Sequence, residues 1–190
     1  MPRGMDSLIR MLLVAPQSAL LVIDVQVRLL PAMAAGEPVV ANSAKLMQAA
    51  TRLGVPMLVS EQYSKGLGPT VPELAAHAPA GVTLEKNAFS CANDNAIVSR
   101  VMDLDRRQLV LCGIESHVCV LQTAIGFRER GYQIAVAWDA TSSRREADRA
   151  LAAERLRQEG IALVGTEMVL FEWLGKAGTP EFKEISAFIK

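Results

Sequence analysis

Residues 19–23 of the stretch SALLVIDVQ (18–26) are apolar without a break, and the run closes on Asp24. A strand with one wet face alternates apolar and polar residues. An unbroken apolar run of strand length suits a strand covered on both faces, as in a parallel sheet. The same signature returns in QLVLCGI (108–114). Between these runs lies VVANSAKLMQAATRLGV (39–55), with Val40, Ala44, Met47 and Ala50 at helical spacing and Gly54 as a stop signal.

The rest of the chain repeats the alternation. Strands are expected at 56–62, 81–87, 132–140 and 161–166, and helices at 94–102, 116–131, 143–160, 166–174 and 180–190. SKGLGPTVPEL (64–74) is rich in Gly and Pro and reads as a loop. No linker or internal repeat divides residues 1–190, so one domain is expected, with 1–15 as a loose N-terminal tail. Strands that alternate with helices predict an α/β fold. The expected form is a three-layer α/β/α sandwich around a mainly parallel six-stranded sheet of Rossmann-like topology.

Composition bounds the partners. Of 190 residues, 51% are apolar and 21% charged, which is ordinary for a globular domain. Lys plus Arg and Asp plus Glu are 20 each, so no charge excess points to nucleic acid or an anionic membrane. No window reaches the roughly 18 apolar residues of a membrane span. The apolar patch LIRMLL is broken by Arg10 and lacks the form of a secretion signal. Three cysteines in a chain of this length argue against a disulfide framework and fit a reducing, cytoplasmic setting. Neither a G-x-G-x-x-G motif nor a P-loop occurs, and no cofactor is expected.

In a doubly wound sheet, ligands bind at the carboxyl ends of the strands. Asp24 ends the first strand, Lys86 the third, and Cys119 follows the fourth in the first turn of a helix. A helix start and a neighbouring ammonium both favour thiolate. An aspartate there can take up and return a proton. The segment Gly113-Ile114-Glu115 can aim backbone N–H groups at an oxyanion. Each residue has a plainer reading of equal weight. Asp24 can cap a strand end, Lys86 can be a solvated cation, and Cys119 can be a small buried apolar side chain.

The motifs LLVIDVQ, EKNAFS and LCGIESHVCV, in that order, with GYQIAVAWDATSSR after them, resemble the isochorismatase-like cysteine hydrolases over residues 18–175. QVRLLPAM, EQYSKGLGPTVPEL and CGIESHVCVLQTA look most similar to the members of unassigned substrate. The resemblance implies Cys119 as nucleophile, Asp24 as proton shuttle and Lys86 as third member of a triad. It also implies a cis Ile114–Glu115 bond and an oxyanion hole from the N–H groups of Glu115 and Cys119.

Two departures narrow the reading. The metal-binding relatives carry histidines after the second strand. Here that stretch is SEQYSKGLGP, and the chain has only His77 and His117, so no metal is expected. Leu29 stands where an aromatic often lines the pocket. Gln26, Leu29, Tyr63, Phe89 and His117 are candidates for substrate binding. Gln26 can equally hold the first loop, and Leu29, Tyr63 and Phe89 can equally be packing. Cys112 reads as core, Cys91 as a helix-entry residue, and Trp138 and Trp173 as core or interface.

The expected protein is a hydrolase that cleaves a small-molecule amide or related C–N bond through a thioester, as a dimer or tetramer. A vinyl-ether hydrolase and a non-catalytic binding or scaffold protein are the alternatives. Redox sensing by Cys119 with Cys91 lacks a C-x-x-C pair.

Overall fold

A computed structural model describes residues 12–189. Its six strands are β1 (Ser18–Ile23), β2 (Met57–Gln62), β3 (Thr83–Lys86), β4 (Gln108–Ile114), β5 (Gln133–Ser142) and β6 (Ala162–Val164). They form one sheet in the order β3-β2-β1-β4-β5-β6, and every neighbouring pair is parallel. The longer helices are α1 (Gly36–Leu53), α4 (Asn95–Asp103), α5 (Leu121–Glu129), α6 (Glu146–Gln158), α7 (Thr166–Leu174) and α8 (Pro180–Ala187). The fold is the expected α/β sandwich, with its sheet parallel throughout.

Alternation along the strands builds two apolar layers. Leu20, Val22, Val110, Cys112, Ala135 and Ala137 face one layer, with α1, α7 and α8. Ala19, Leu21, Ile23, Leu109, Leu111, Ile134 and Val136 face the other, with α4, α5 and α6. A strand buried on both faces needs apolar residues at every position, which is why β1 and β4 read as unbroken runs. Cys112 is fully buried in the first layer, as expected of core.

Three expectations change. Residues 1–11 lie outside the described residues, but 12–15 are not a loose tail. The side chain of Leu13 is 1% exposed and its N–H donates to Glu172 Oε2 at 2.7 Å. Gln108 holds the same stretch, accepting from Val14 N–H at 2.8 Å and donating to Leu12 O at 2.9 Å. The 64–74 loop contains two single-turn helices, α2 (Ser64–Leu67) and α3 (Pro72–Ala75). Glu61 fastens it by accepting from Thr70 N–H and Oγ1 at 2.7 and 2.8 Å. The expected 116–131 helix opens as a π-helical turn, Ser116–Val120, before α5 begins. Among the described residues, no helix is long and apolar enough to cross a membrane.

Candidate active site

β1 and β4 are paired at the centre of the sheet, and the chain order changes direction between them. Ligand crevices form at such a point. Asp24 is the first residue past β1 and is held at φ 55°. Its N–H donates to Ser60 O at 3.0 Å, so the end of β2 fixes the turn. Gly113, at φ +113°, lies beside it at a register shift between β4 and β5. A Cβ on Gly113 would sit 2.0 Å from Ile23 O, so only glycine lets β4 come this close to the end of β1.

Around Asp24 the polar groups are buried and paired. Ser60 Oγ donates to Asp24 Oδ1 at 2.6 Å. Lys86 Nζ donates to Asp24 Oδ2 at 2.7 Å, to Gln62 Oε1 at 2.6 Å and to Phe89 O at 3.2 Å. Both side chains of the Asp24–Lys86 ion pair are 0% exposed. Lys86 is therefore no solvated cation, and its three N–H donors each have an acceptor. Burial raises the Asp24 carboxyl above the usual range, and the charge of Lys86 and hydrogen bonds from Lys86, Ser60 and Cys119 oppose that rise.

Cys119 comes to the same carboxylate from the other side. Its residue is 5% exposed, and it lies near enough to Asp24 and Lys86 for both charges to act on its thiol. The charge of Lys86 does favour thiolate, as expected, but it is outweighed. Burial first, then the negative charge of Asp24, push the thiol above its ordinary value, and Lys86 only partly offsets them.

Before Cys119, the Ile114–Glu115 peptide bond is cis. Glu115 O accepts from the N–H groups of Val118 and Val120 at 3.1 and 3.2 Å. The end of β5 clamps this turn. Arg144 donates from its N–H and Nε to Glu115 Oε2 at 3.0 and 3.1 Å, and its Nη2 lies 3.1 Å from Glu115 Oε1. His117 Nδ1 is 2.9 Å from Ser143 Oγ, which ties that ring to the same segment.

The other candidates divide. Gln26 is spent on the backbone. It donates to Gln62 O at 3.0 Å and Gly68 O at 2.6 Å, and accepts from Gln62 N–H at 2.8 Å. It holds the first loop and leaves no side-chain donor for a ligand, which corrects its place as a substrate contact. Leu29 packs against the apolar layer under α1. Tyr63 and Phe89 are 54% and 55% exposed, displayed just past β2 and β3. Cys91 is fully buried in the layer that also holds Cys119, and burial pushes its thiol up to about 11. Trp173 is buried, and Trp138 lies under the Arg149 guanidinium, 4.7 Å from the ring centroid. Among the described residues no group of three His, Cys, Asp or Glu is placed to hold a metal ion.

Ser60, Gln62 and Arg144 were missed in the sequence. The signal for the first two is slight: polar residues at i and i+2, on one face of the strand MLVSEQ, whose second half is polar throughout. Arg144 carries none, because it lies in a polar strand-end segment, SSR, where a solvated arginine is ordinary.

Comparison with known proteins concerns the fold and the family. Residues 18–168 match the isochorismatase domain. Isochorismatase domain-containing protein 2 of Danio rerio is 41% identical over 172 residues, covering 90% of this chain and 86% of that one. Its Mus musculus counterpart 2A is 38% identical over 182 residues, covering 93% and 85%. The MAR1 ribonuclease structure from Caenorhabditis elegans superposes with a TM-score of 0.87 at 34% identity, covering 93% and 91%. The ycaC gene product of Escherichia coli, described as an octameric hydrolase of unknown specificity, shares the fold at a TM-score of 0.84 and 24% identity, covering 93% and 86%.

Proposed function

The chain belongs to the isochorismatase domain family, which supports a hydrolase, and from the Asp24–Lys86–Cys119 cluster we propose that it cleaves a small amide or related C–N bond through a thioester on Cys119. The observation that carries the reading is a fully buried carboxylate–ammonium pair whose charges act on the nearby buried thiol of Cys119. A structural cysteine needs no such neighbours. A carboxylate with raised proton affinity is suited to take the proton of a thiol that does not ionise alone.

The steps balance as follows. Cys119 sulfur attacks the carbonyl carbon while its proton passes to Asp24. The C=O electron pair moves onto oxygen, which the N–H groups of Glu115 and Cys119 hold. The oxyanion collapses, the C–N bond breaks, and Asp24 gives its proton to the departing nitrogen. Water then attacks the thioester, losing a proton to Asp24. The acid leaves, and that proton returns to the sulfur. Lys86 keeps Asp24 in place and offsets charge at the sulfur as it passes through thiolate character. No step uses a metal or cofactor.

The octamer described for the E. coli protein supports a homo-oligomer here. The acyl-transfer reading is tested with a panel of small amides, carbamoyl compounds and vinyl ethers, and an RNA oligomer, against wild type and Cys119→Ala. C–N hydrolysis by wild type, lost in Cys119→Ala, is the expected result. Vinyl-ether or RNA cleavage that survives Cys119→Ala would replace the reading, and a chain inert to the whole panel would favour a binding protein.

A further inference from the structure

Lys86 is 1% exposed, and its ammonium has three bonds to give. One goes to the carboxylate of Asp24. The shortest goes to a neutral group, Gln62 Oε1 at 2.6 Å. The Gln62 carboxamide is fixed in that orientation because its Nε2 donates to Asn87 O at 2.8 Å. An ammonium can only donate and a backbone carbonyl can only accept, so the flipped amide would fail both partners. The backbone of Gln62 is fixed as well. Gln26, two residues past Asp24, accepts from Gln62 N–H and donates to Gln62 O. A side chain from the loop after β1 thus grips both polar groups of the last residue of β2. Register places Gln62 opposite Lys86, the last residue of β3.

We propose that Gln62, gripped by Gln26, is a positioning residue that aims the Lys86 ammonium at Asp24 and so sets the positive charge felt at Cys119. The inference rests on the thiol–carboxylate–ammonium reading of the site. Without the Gln62 oxygen, one buried N–H has no acceptor, and the ammonium turns off its line to Asp24 to find one. The longest of its bonds, 3.2 Å to Phe89 O, does not hold it alone. Charge near a thiol governs thiolate formation, and thiolate fraction governs alkylation.

The experiment follows the rate of iodoacetamide modification of Cys119 against pH, by peptide mass mapping. It compares wild type, Cys119→Ala, Lys86→Ala and Gln62→Met. Gln62→Met keeps side-chain bulk and removes the acceptor. Its profile is expected to move to higher pH by about one unit, or about tenfold in rate at fixed pH, in the same direction as Lys86→Ala. Thermal unfolding is recorded beside it, because a merely structural glutamine would lower the melting temperature and leave the profile in place. A folded Gln62→Met with the wild-type profile overturns the proposal. Should Gln62→Met fail to fold, Gln26→Met cuts the grip and leaves the carboxamide present. A smaller displacement in the same direction is then expected, and an unmoved profile overturns the proposal. If Lys86→Ala itself leaves the profile unmoved, the triad reading fails first, and the two failures are told apart.

Discussion

A thiol that burial and a carboxylate bias toward its protonated form is a weak nucleophile until something takes its proton. In the proposed reaction Asp24 takes it, and Asp24 and Lys86 have opposed effects on the thiol that variants can separate. Asp24 opposes thiolate and Lys86 favours it. In wild type the alkylation rate should keep rising through pH 9, because the thiol lies above its ordinary value of 9.0. Asp24→Asn removes the negative charge, so its profile should move to lower pH while amide turnover is lost. Lys86→Ala should move the profile to higher pH and slow turnover with it. A wild-type plateau near neutral pH would contradict the geometry. Cys119, Asp24 and Lys86 were legible because motifs at strand ends mark them. The balance at the thiol was not, since it depends on how deeply Cys119 is buried beside Asp24, which no spacing encodes.

Among the elements, the approach of β4 to β1 has the least tolerance. Gly113→Ala would place a methyl 2.0 Å from Ile23 O at a φ of +113°. The expected loss is about 3 kcal/mol or more, read by urea unfolding, with Cys119 drawn off Asp24 and its alkylation profile changed. An alanine variant of wild-type stability would show that β4 has room to move. Cys112, in the middle of the same strand, should behave differently. Cys112→Ala should cost on the order of 1 kcal/mol and leave turnover intact. β1 and β4 were readable because burial on both faces writes an unbroken apolar run. The π-helical turn at Ser116–Val120 was not, because ESHVCV has the same composition whether it opens as α or π. The short helices at 64–67 and 72–75 were hidden by Gly and Pro, which mark a break in long elements and permit single turns.

At the scale of the whole molecule, the buried cysteines limit stability in alkali. Burial raises Cys91 to about 11 and Cys112 to about 12, from an ordinary 9.0. Both groups bind their protons more tightly folded than unfolded. Their stabilisation is therefore complete below pH 9 and is lost as pH rises toward 11 and 12. Each thiol should remove about 1 kcal/mol of stability per pH unit in that window. Urea unfolding at pH 8, 9 and 10 checks this, and the slope should be shallower in Cys112→Ala. Activity should also survive exhaustive chelation, and loss restored by zinc or iron would assign a metal that the stretch after β2 does not suggest. The parallel sheet, and the placing of Asp24, Lys86 and Cys119 at the carboxyl ends of its strands, followed from the alternation of strands and helices. The links Ser60–Asp24, Gln62–Lys86 and Arg144–Glu115 join residues 24 to 36 positions apart. They exist only once the sheet has formed.

Hydrolysis through Cys119 requires a covalent bond between its sulfur and the acyl half of the substrate. Acid-quenching wild type during steady-state hydrolysis of an amide that it cleaves, then mapping the adduct by peptide mass, looks for that bond. The acyl group is expected as a thioester on Cys119, absent in Cys119→Ala, which should also be inactive. Turnover with Cys119 unmodified, undiminished in Cys119→Ala, would contradict this expectation.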